Sequence, residues 1–144
     1  MTQAGYKTAQ LGTLGLIADG FDQQATLTTP DAISLQKTTS NLRNANFSHI
    51  VMEVSSHALD QYRVADVNFN VAVFTNLTPE HLDYHSTLES YYQAKLRLFT
   101  MLPLESTAVI NESDPFGAKM ANKSNAPVSY THLRAHETRH DLVC

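Results

Sequence analysis

The stretch from Phe74 to Phe99, FTNLTPEHLDYHSTLESYYQAKLRLF, constrains the fold more than any other part of the chain. It reads as the end of a buried strand, a polar loop with two histidines, and an amphipathic helix. Ser86-Thr87-Leu88-Glu89 has the form of a capping box, which predicts a helix starting near Thr87. Leu88, Tyr91, Tyr92, Lys95, Leu96 and Phe99 then recur at helical spacing and define one face. Lys95 lies in the middle of that face, where an aliphatic residue is expected. The pattern admits two readings: a lysine stem laid on the core with its ammonium reaching water, or an amine altered by burial or by modification.

The same grammar repeats along the chain. Ser48–Ser56 (SHIVMEVSS) is a short apolar strand ending in an acid and two serines, and Val71–Thr75 is a second buried strand. Ala108–Asn111 is a third, and a loop containing Pro103 precedes it. Thr28-Thr29-Pro30-Asp31 predicts a helix start, with Thr29 as N-cap and Pro30 at the first helical position. The helix that follows, to about Asn46, carries a weak apolar stripe of Ile33, Leu35 and Leu42. Gly5 reads as a helix end, and Gly12 and Gly15 sit where a strand runs into a loop. Strands alternating with helices predict an α/β fold, a mostly parallel sheet with helices on its faces.

Composition narrows the function classes. With 144 residues the chain suffices for about one domain. A net charge of −4 argues against a nucleic-acid surface. The single Cys, Cys144, excludes an internal disulfide framework and fits a reducing, cytoplasmic setting. No apolar run reaches the length of a membrane span, and no signal peptide opens the chain.

Several residues have chemistry worth weighing. Glu53 closes a strand at the end where α/β folds place ligands. Two free hydroxyls at a helix start, Thr28 and Thr29, can meet an anion; equally, they can do nothing but cap. Arg63 suits a carboxylate or phosphate, or is a solvated loop cation. His81 and His85 alone are compatible with a zinc pair, but the nearby acids Glu53, Glu80 and Asp83 are hard oxygen donors that favour magnesium. Glu80 and Asp83 are also readable as solvated loop acids.

The segments NLTPEHLDYHSTLESYYQAK and MEVSSHALDQYRV, with the TTP triplet at Thr28–Pro30, resemble the central domain of the Mur ligases. These are ATP-dependent enzymes that extend the cell-wall stem peptide, and the tripeptide-forming branch matches best. The resemblance implies that Lys95 is carbamylated by carbon dioxide and helps hold a magnesium ion, that Glu53 holds magnesium, and that His81 serves a second metal. It implies contacts from Thr28, Thr29, Ser55, Gln61 and Arg63 to the UDP-muramoyl dipeptide, and places Asn76 beside the nucleotide base. His57 is a lower-ranked candidate, with a hydrogen-bonded structural role as the alternative. The implied reaction activates the D-glutamyl carboxylate as an acyl phosphate with ATP. The amine of a diamino acid, diaminopimelate or lysine, then attacks it. The implied setting is the cytoplasm, with a monomer that engages neither nucleic acid nor membrane.

The family's phosphate loop is of the GxxGKT kind. None of the five glycines, Gly5, Gly12, Gly15, Gly20 and Gly117, immediately precedes a Lys-Thr or Lys-Ser pair. The expectation is therefore a fragment, residues 1–128 being part of the central domain, with no ligase activity by itself. Another Mur ligase, the related folylpolyglutamate synthase, or a non-catalytic remnant are the alternatives. The stretch SYTHLRAHETRHDLVC resembles, in one reading frame, a translated transposase-type sequencing adapter. Within it His136-Glu137-Thr138-Arg139-His140 is a formal HExxH, the zinc-hydrolase signature, extended at four-residue steps by His132 and Cys144. Residues 129–144 are accordingly expected to be no domain, although their propensities permit a helix.

Overall fold

The computed structural model describes residues 4–132. The chain forms two compact units, Met1–Val64 and Ala65–Cys144.

In the first unit, β1 (Thr8–Gly12) and β2 (Gly15–Ile17) form an antiparallel hairpin that closes at Gly12↔Gly15. Gly15 sits at φ 98, and a Cβ there would come within 2.0 Å of the Gln23 carbonyl oxygen. Only glycine meets both demands. β3 (His49–Met52) lies parallel to β1, from Thr8↔His49 to Leu11↔Met52, giving the order β2-β1-β3. The crossover is α1 (Ala32–Asn44), whose buried residues are Leu35 and Leu42. Ile33, counted in the sequence stripe, is instead 68% exposed in the first turn.

The helix start differs from expectation. Asp31 is the N-cap, accepting from the Ile33 and Ser34 amides at 3.1 and 3.0 Å. Bonds from Ser34 hold its carboxyl below the ordinary aspartate value. Thr29 cannot cap because its hydroxyl is buried and committed to tertiary bonds. The helix ends at Asn44, and Asn46 turns the chain at φ 63.

The second unit holds β4 (Val71–Phe74), β5 (Thr107–Asn111) and β6 (Val128–Thr131), all parallel in the order β4-β5-β6. Parallel neighbours need crossovers, supplied by α4 (Leu88–Thr100) and α5 (Gly117–Lys123). The short α3 (Leu82–His85) precedes α4. On α4 the buried residues are Tyr91, Tyr92, Ala94, Leu96, Leu98 and Phe99, and the Phe99 ring meets Phe74 edge-on at 6.3 Å.

β4 is half-buried rather than buried, because Ala72 and Phe74 point inward while Val71 and Val73 are exposed. The capping box of α4 lies one residue on: the Thr87 hydroxyl accepts from the Ser90 amide at 3.1 Å, and Ser90 Oγ accepts from the Thr87 amide. Ser86 is excluded as N-cap by its φ of 62, whereas Thr87 has the extended backbone a cap requires. Glu89 accepts from Gln93 one turn on, at 2.7 Å. Ser129–Thr131, where a helix was permitted by propensity, belong to strand β6. The HExxH residues and Cys144 lie outside the described residues.

Candidate functional site

In the first unit the candidates are tied together by hydrogen bonds around the end of β3. Glu53 continues that strand, its amide donating to the Leu11 carbonyl at 2.9 Å. Its carboxylate is exposed yet held: Oε2 accepts from the Thr13 amide at 2.9 Å and from the Thr13 hydroxyl at 2.6 Å. Thr13 Oγ1 lies 3.3 Å from Thr28 Oγ1. The Thr13 proton is already committed to Glu53, so Thr28 is the donor in that pair.

Thr29, 1% exposed, donates to the Glu53 carbonyl at 2.9 Å and accepts from the Ser55 amide at 3.0 Å. One hydroxyl thus fixes the backbone on both sides of Val54. Ser55 caps α2 (Ser56–Asp60) by accepting from the Ala58 amide at 3.2 Å. Arg63 is no solvated loop cation: Nη1 donates to the Thr29 carbonyl at 2.9 Å and Nε to Gln61 Oε1 at 2.9 Å. His57 is half-buried in the first turn of α2. Tyr62, between Gln61 and Arg63, adopts φ 55 as the left-handed residue that ends α2, its amide on the Leu59 carbonyl at 3.2 Å and the Arg63 amide on the Ala58 carbonyl at 2.9 Å.

In the second unit the candidates gather on Tyr91, itself 4% exposed. The Lys95 ammonium nitrogen lies over its ring, 5.2 Å from the centroid. The His81 ring meets it edge-on at 5.9 Å, and the His85 ring stacks on it at 5.2 Å. His85 is buried in this cluster, with Tyr84 edge-on at 4.8 Å, so its part is packing. Burial lowers the Lys95 amine from the ordinary lysine value, while Glu80 and Asp114 pull it back up. Burial and Glu80 also raise the Tyr91 phenol. The flanks of Asn76 are pinned from β5 and the turn after it: Asn111 Nδ2 donates to the Thr75 carbonyl at 2.7 Å, and Asp114 Oδ2 accepts from the Leu77 amide at 2.9 Å.

Each unit by itself offers what a hard cation needs in part. Glu53 presents an oriented carboxylate, and Lys95 an amine biased toward the neutral form that reacts with carbon dioxide to give an oxygen-donating carbamate. These donors fit magnesium. Among the described residues no three His, Cys, Asp or Glu side chains group to hold a metal ion, which leaves the His81 and His85 zinc reading without a third ligand there.

Sequence reasoning missed Thr13, Asp114 and the platform role of Tyr91. The signal for Thr13 was present in GTLG: two glycines bracketing two residues announce a tight hairpin, whose loop must point somewhere. Nothing in the residue pattern said that it points at Glu53.

Parallel strands with helical crossovers in the second unit, and in the first a strand ending among hydroxyls and a carboxylate, place the chain in the α/β class. A family model described as the Mur ligase middle domain matches residues 1–142, and the chain belongs to that family. A relative named UDP-N-acetylmuramoyl-L-alanyl-D-glutamate--2,6-diaminopimelate ligase, from Geobacter metallireducens, is 46% identical over 134 residues, covering 89% of this chain and 26% of its own length. The protein of that name from Synechococcus elongatus is 49% identical over 120 residues, with 83% and 24% covered. A solved structure titled for the same ligase superposes with a TM-score of 0.77 at 30% identity, covering 90% of this chain and 27% of that one. The chain thus spans about a quarter of the length of these relatives.

Proposed function

We propose that this chain is part of an ATP-dependent ligase of peptidoglycan synthesis. The ligase joins the D-glutamyl carboxylate of UDP-N-acetylmuramoyl-L-alanyl-D-glutamate to an amine of a diamino acid. The names of the relatives favour 2,6-diaminopimelate over lysine. The single observation that carries the reading is the network of Thr29, Glu53, Ser55, Gln61 and Arg63 at one strand end. It occurs in a chain 46% identical to such a ligase.

Thr28, Thr29, Ser55, Gln61 and Arg63 position the nucleotide-sugar peptide. The Arg63 fork, already oriented by Thr29 and Gln61, offers directional donors to a carboxylate or phosphate. Asn76 borders the nucleotide base, and His57 is an additional contact. Glu53 and Lys95 as its carbamate would each help hold magnesium, and His81 would serve a second metal ion. When bound, magnesium offsets charge on the phosphates and on the carboxyl as it becomes an acyl phosphate. The proposed setting is the cytoplasm, as a monomer engaging neither nucleic acid nor membrane; no helix among the described residues is long and apolar enough to cross one. Residues 129–144 are proposed to derive from adapter DNA, which long reads across the end of the reading frame would support or refute.

The binding reading is tested by adding UDP-muramoyl dipeptide to isotope-labelled chain and following side-chain resonances. Shifts at Thr29, Ser55, Gln61 and Arg63, lost in Arg63→Ala, are expected. Saturating ligand that leaves these four unmoved sinks it.

A further inference from the structure

We infer that Thr13 is a positioning residue for Glu53: its hydroxyl and amide clamp one carboxylate oxygen and so present the other to a divalent cation. The inference rests on the proposed role of Glu53 in holding magnesium.

The geometry is specific. Both bonds, at 2.9 Å from the amide and 2.6 Å from the hydroxyl, fall on Oε2. Bonds to an ionised acceptor are short and strong, and Oε1 is left for a ligand. The Glu53 backbone is fixed as well, its amide on Leu11 and its carbonyl on Thr29. An exposed glutamate ordinarily keeps its rotamer freedom and loses it on binding; here that freedom is gone beforehand. The neighbouring glycine belongs to the same device. A Cβ on Gly12 would stand 2.7 Å from Glu53 Cδ and 2.9 Å from Oε2, inside contact distance of the carboxylate. Gly12 leaves the space and Thr13 fills it with donors. Thr28, donating to Thr13 Oγ1 at 3.3 Å, keeps the Thr13 proton directed at Glu53.

The competing explanation is that Glu53 merely ties down the hairpin loop. Three forms of the full chain separate the two: wild type, Thr13→Val, which deletes the hydroxyl at nearly constant shape, and Thr13→Ser, which restores it. Mn2+ serves as the probe, read as paramagnetic broadening of the Glu53 γ-methylene resonance. The expected result is wild-type behaviour in Thr13→Ser and about tenfold more Mn2+ needed in Thr13→Val, the lower end of what loss of a ligand-orienting partner costs. A hairpin tie alone would lower thermal stability without moving Mn2+ affinity. Equal affinity in wild type and Thr13→Val, or equal weakness in Thr13→Val and Thr13→Ser, overturns the inference. If Mn2+ leaves Glu53 unbroadened even in wild type, the cation reading of Glu53 fails instead. Positioning is then decided by metal-free relaxation of the γ-carbon: ordered in wild type and Thr13→Ser and mobile in Thr13→Val upholds it, and equal mobility in all three refutes it.

Discussion

At the scale of single residues, Lys95 is the group whose surroundings speak most directly to chemistry. Burial lowers its amine, so the folded chain holds that proton less tightly than the unfolded chain. The sign follows. Below the lowered value the amine is charged in both states and the fold bears the cost of burying it. As pH rises from there to the ordinary lysine value, the cost disappears. Lys95→Met is therefore expected to raise stability at neutral pH by at most about 1 kcal/mol, the side chain being only half-buried. The gain should fade toward alkaline pH. Melting curves in buffer free of carbon dioxide check this, and a gain independent of pH would contradict it. Tyr91 and Tyr92 show how much of such a site is legible beforehand. Their burial was readable from spacing, yet that the Tyr91 ring would gather Lys95, His81 and His85 was not, since periodicity gives a face and not its contacts. Thr29 makes the complementary point. As a capping type before Pro30 it was read locally, and a tertiary claim on its hydroxyl by Glu53 and Ser55 overrode the local preference.

At the scale of elements, α4 depends on its first turn. Thr87 satisfies the Ser90 amide and Ser90 returns a bond to Thr87, so Thr87→Ala should cost about 1 kcal/mol. Thermal or urea denaturation would measure it, with Glu89→Ala expected to cost much less, because Glu89 only pairs along the helix with Gln93. In α1, Leu42 is 1% exposed, and Leu42→Ala should cost about 2–5 kcal/mol by the same assay, against little for Ile33→Ala on the exposed side. Element type was legible for the longer elements: the strands before Glu53 and Asn76, the strand ending at Asn111, and both long helices lie where apolar pattern placed them, whereas α2, α3, α5 and β6 were not read. Boundaries were not, because caps are decided by backbone angles such as the φ of 62 at Ser86, which a residue name does not specify. The hairpin of β1 and β2 also escaped, a three-residue strand being too short for alternation to register.

For the whole molecule, the proposed ligase activity requires both a grip on the peptide substrate and a grip on the ATP phosphates. The strand-end network of Thr29, Glu53, Ser55 and Arg63 is formed, whereas no GxxGKT-type loop occurs among the 144 residues. The polypeptide is accordingly expected to release no ADP and form no amide when given ATP, UDP-muramoyl dipeptide and diaminopimelate. Detectable turnover by purified chain would refute this.

His81 carries a last consequence. It adopts φ 58, and Ser86 φ 62, bracketing α3 with two residues in a region where glycine alone rests easily. Such a backbone costs an ordinary L-residue about 1–2 kcal/mol. A library of this chain sorted only for heat resistance should therefore enrich glycine at both positions. A lineage sorted for divalent-cation binding, the role proposed for the imidazole, would keep His81 against that pull. The two positions form a natural comparison, since Ser86 has no proposed chemistry to defend: divergence between them under the two kinds of selection would separate what the fold prefers from what the proposed cation binding requires.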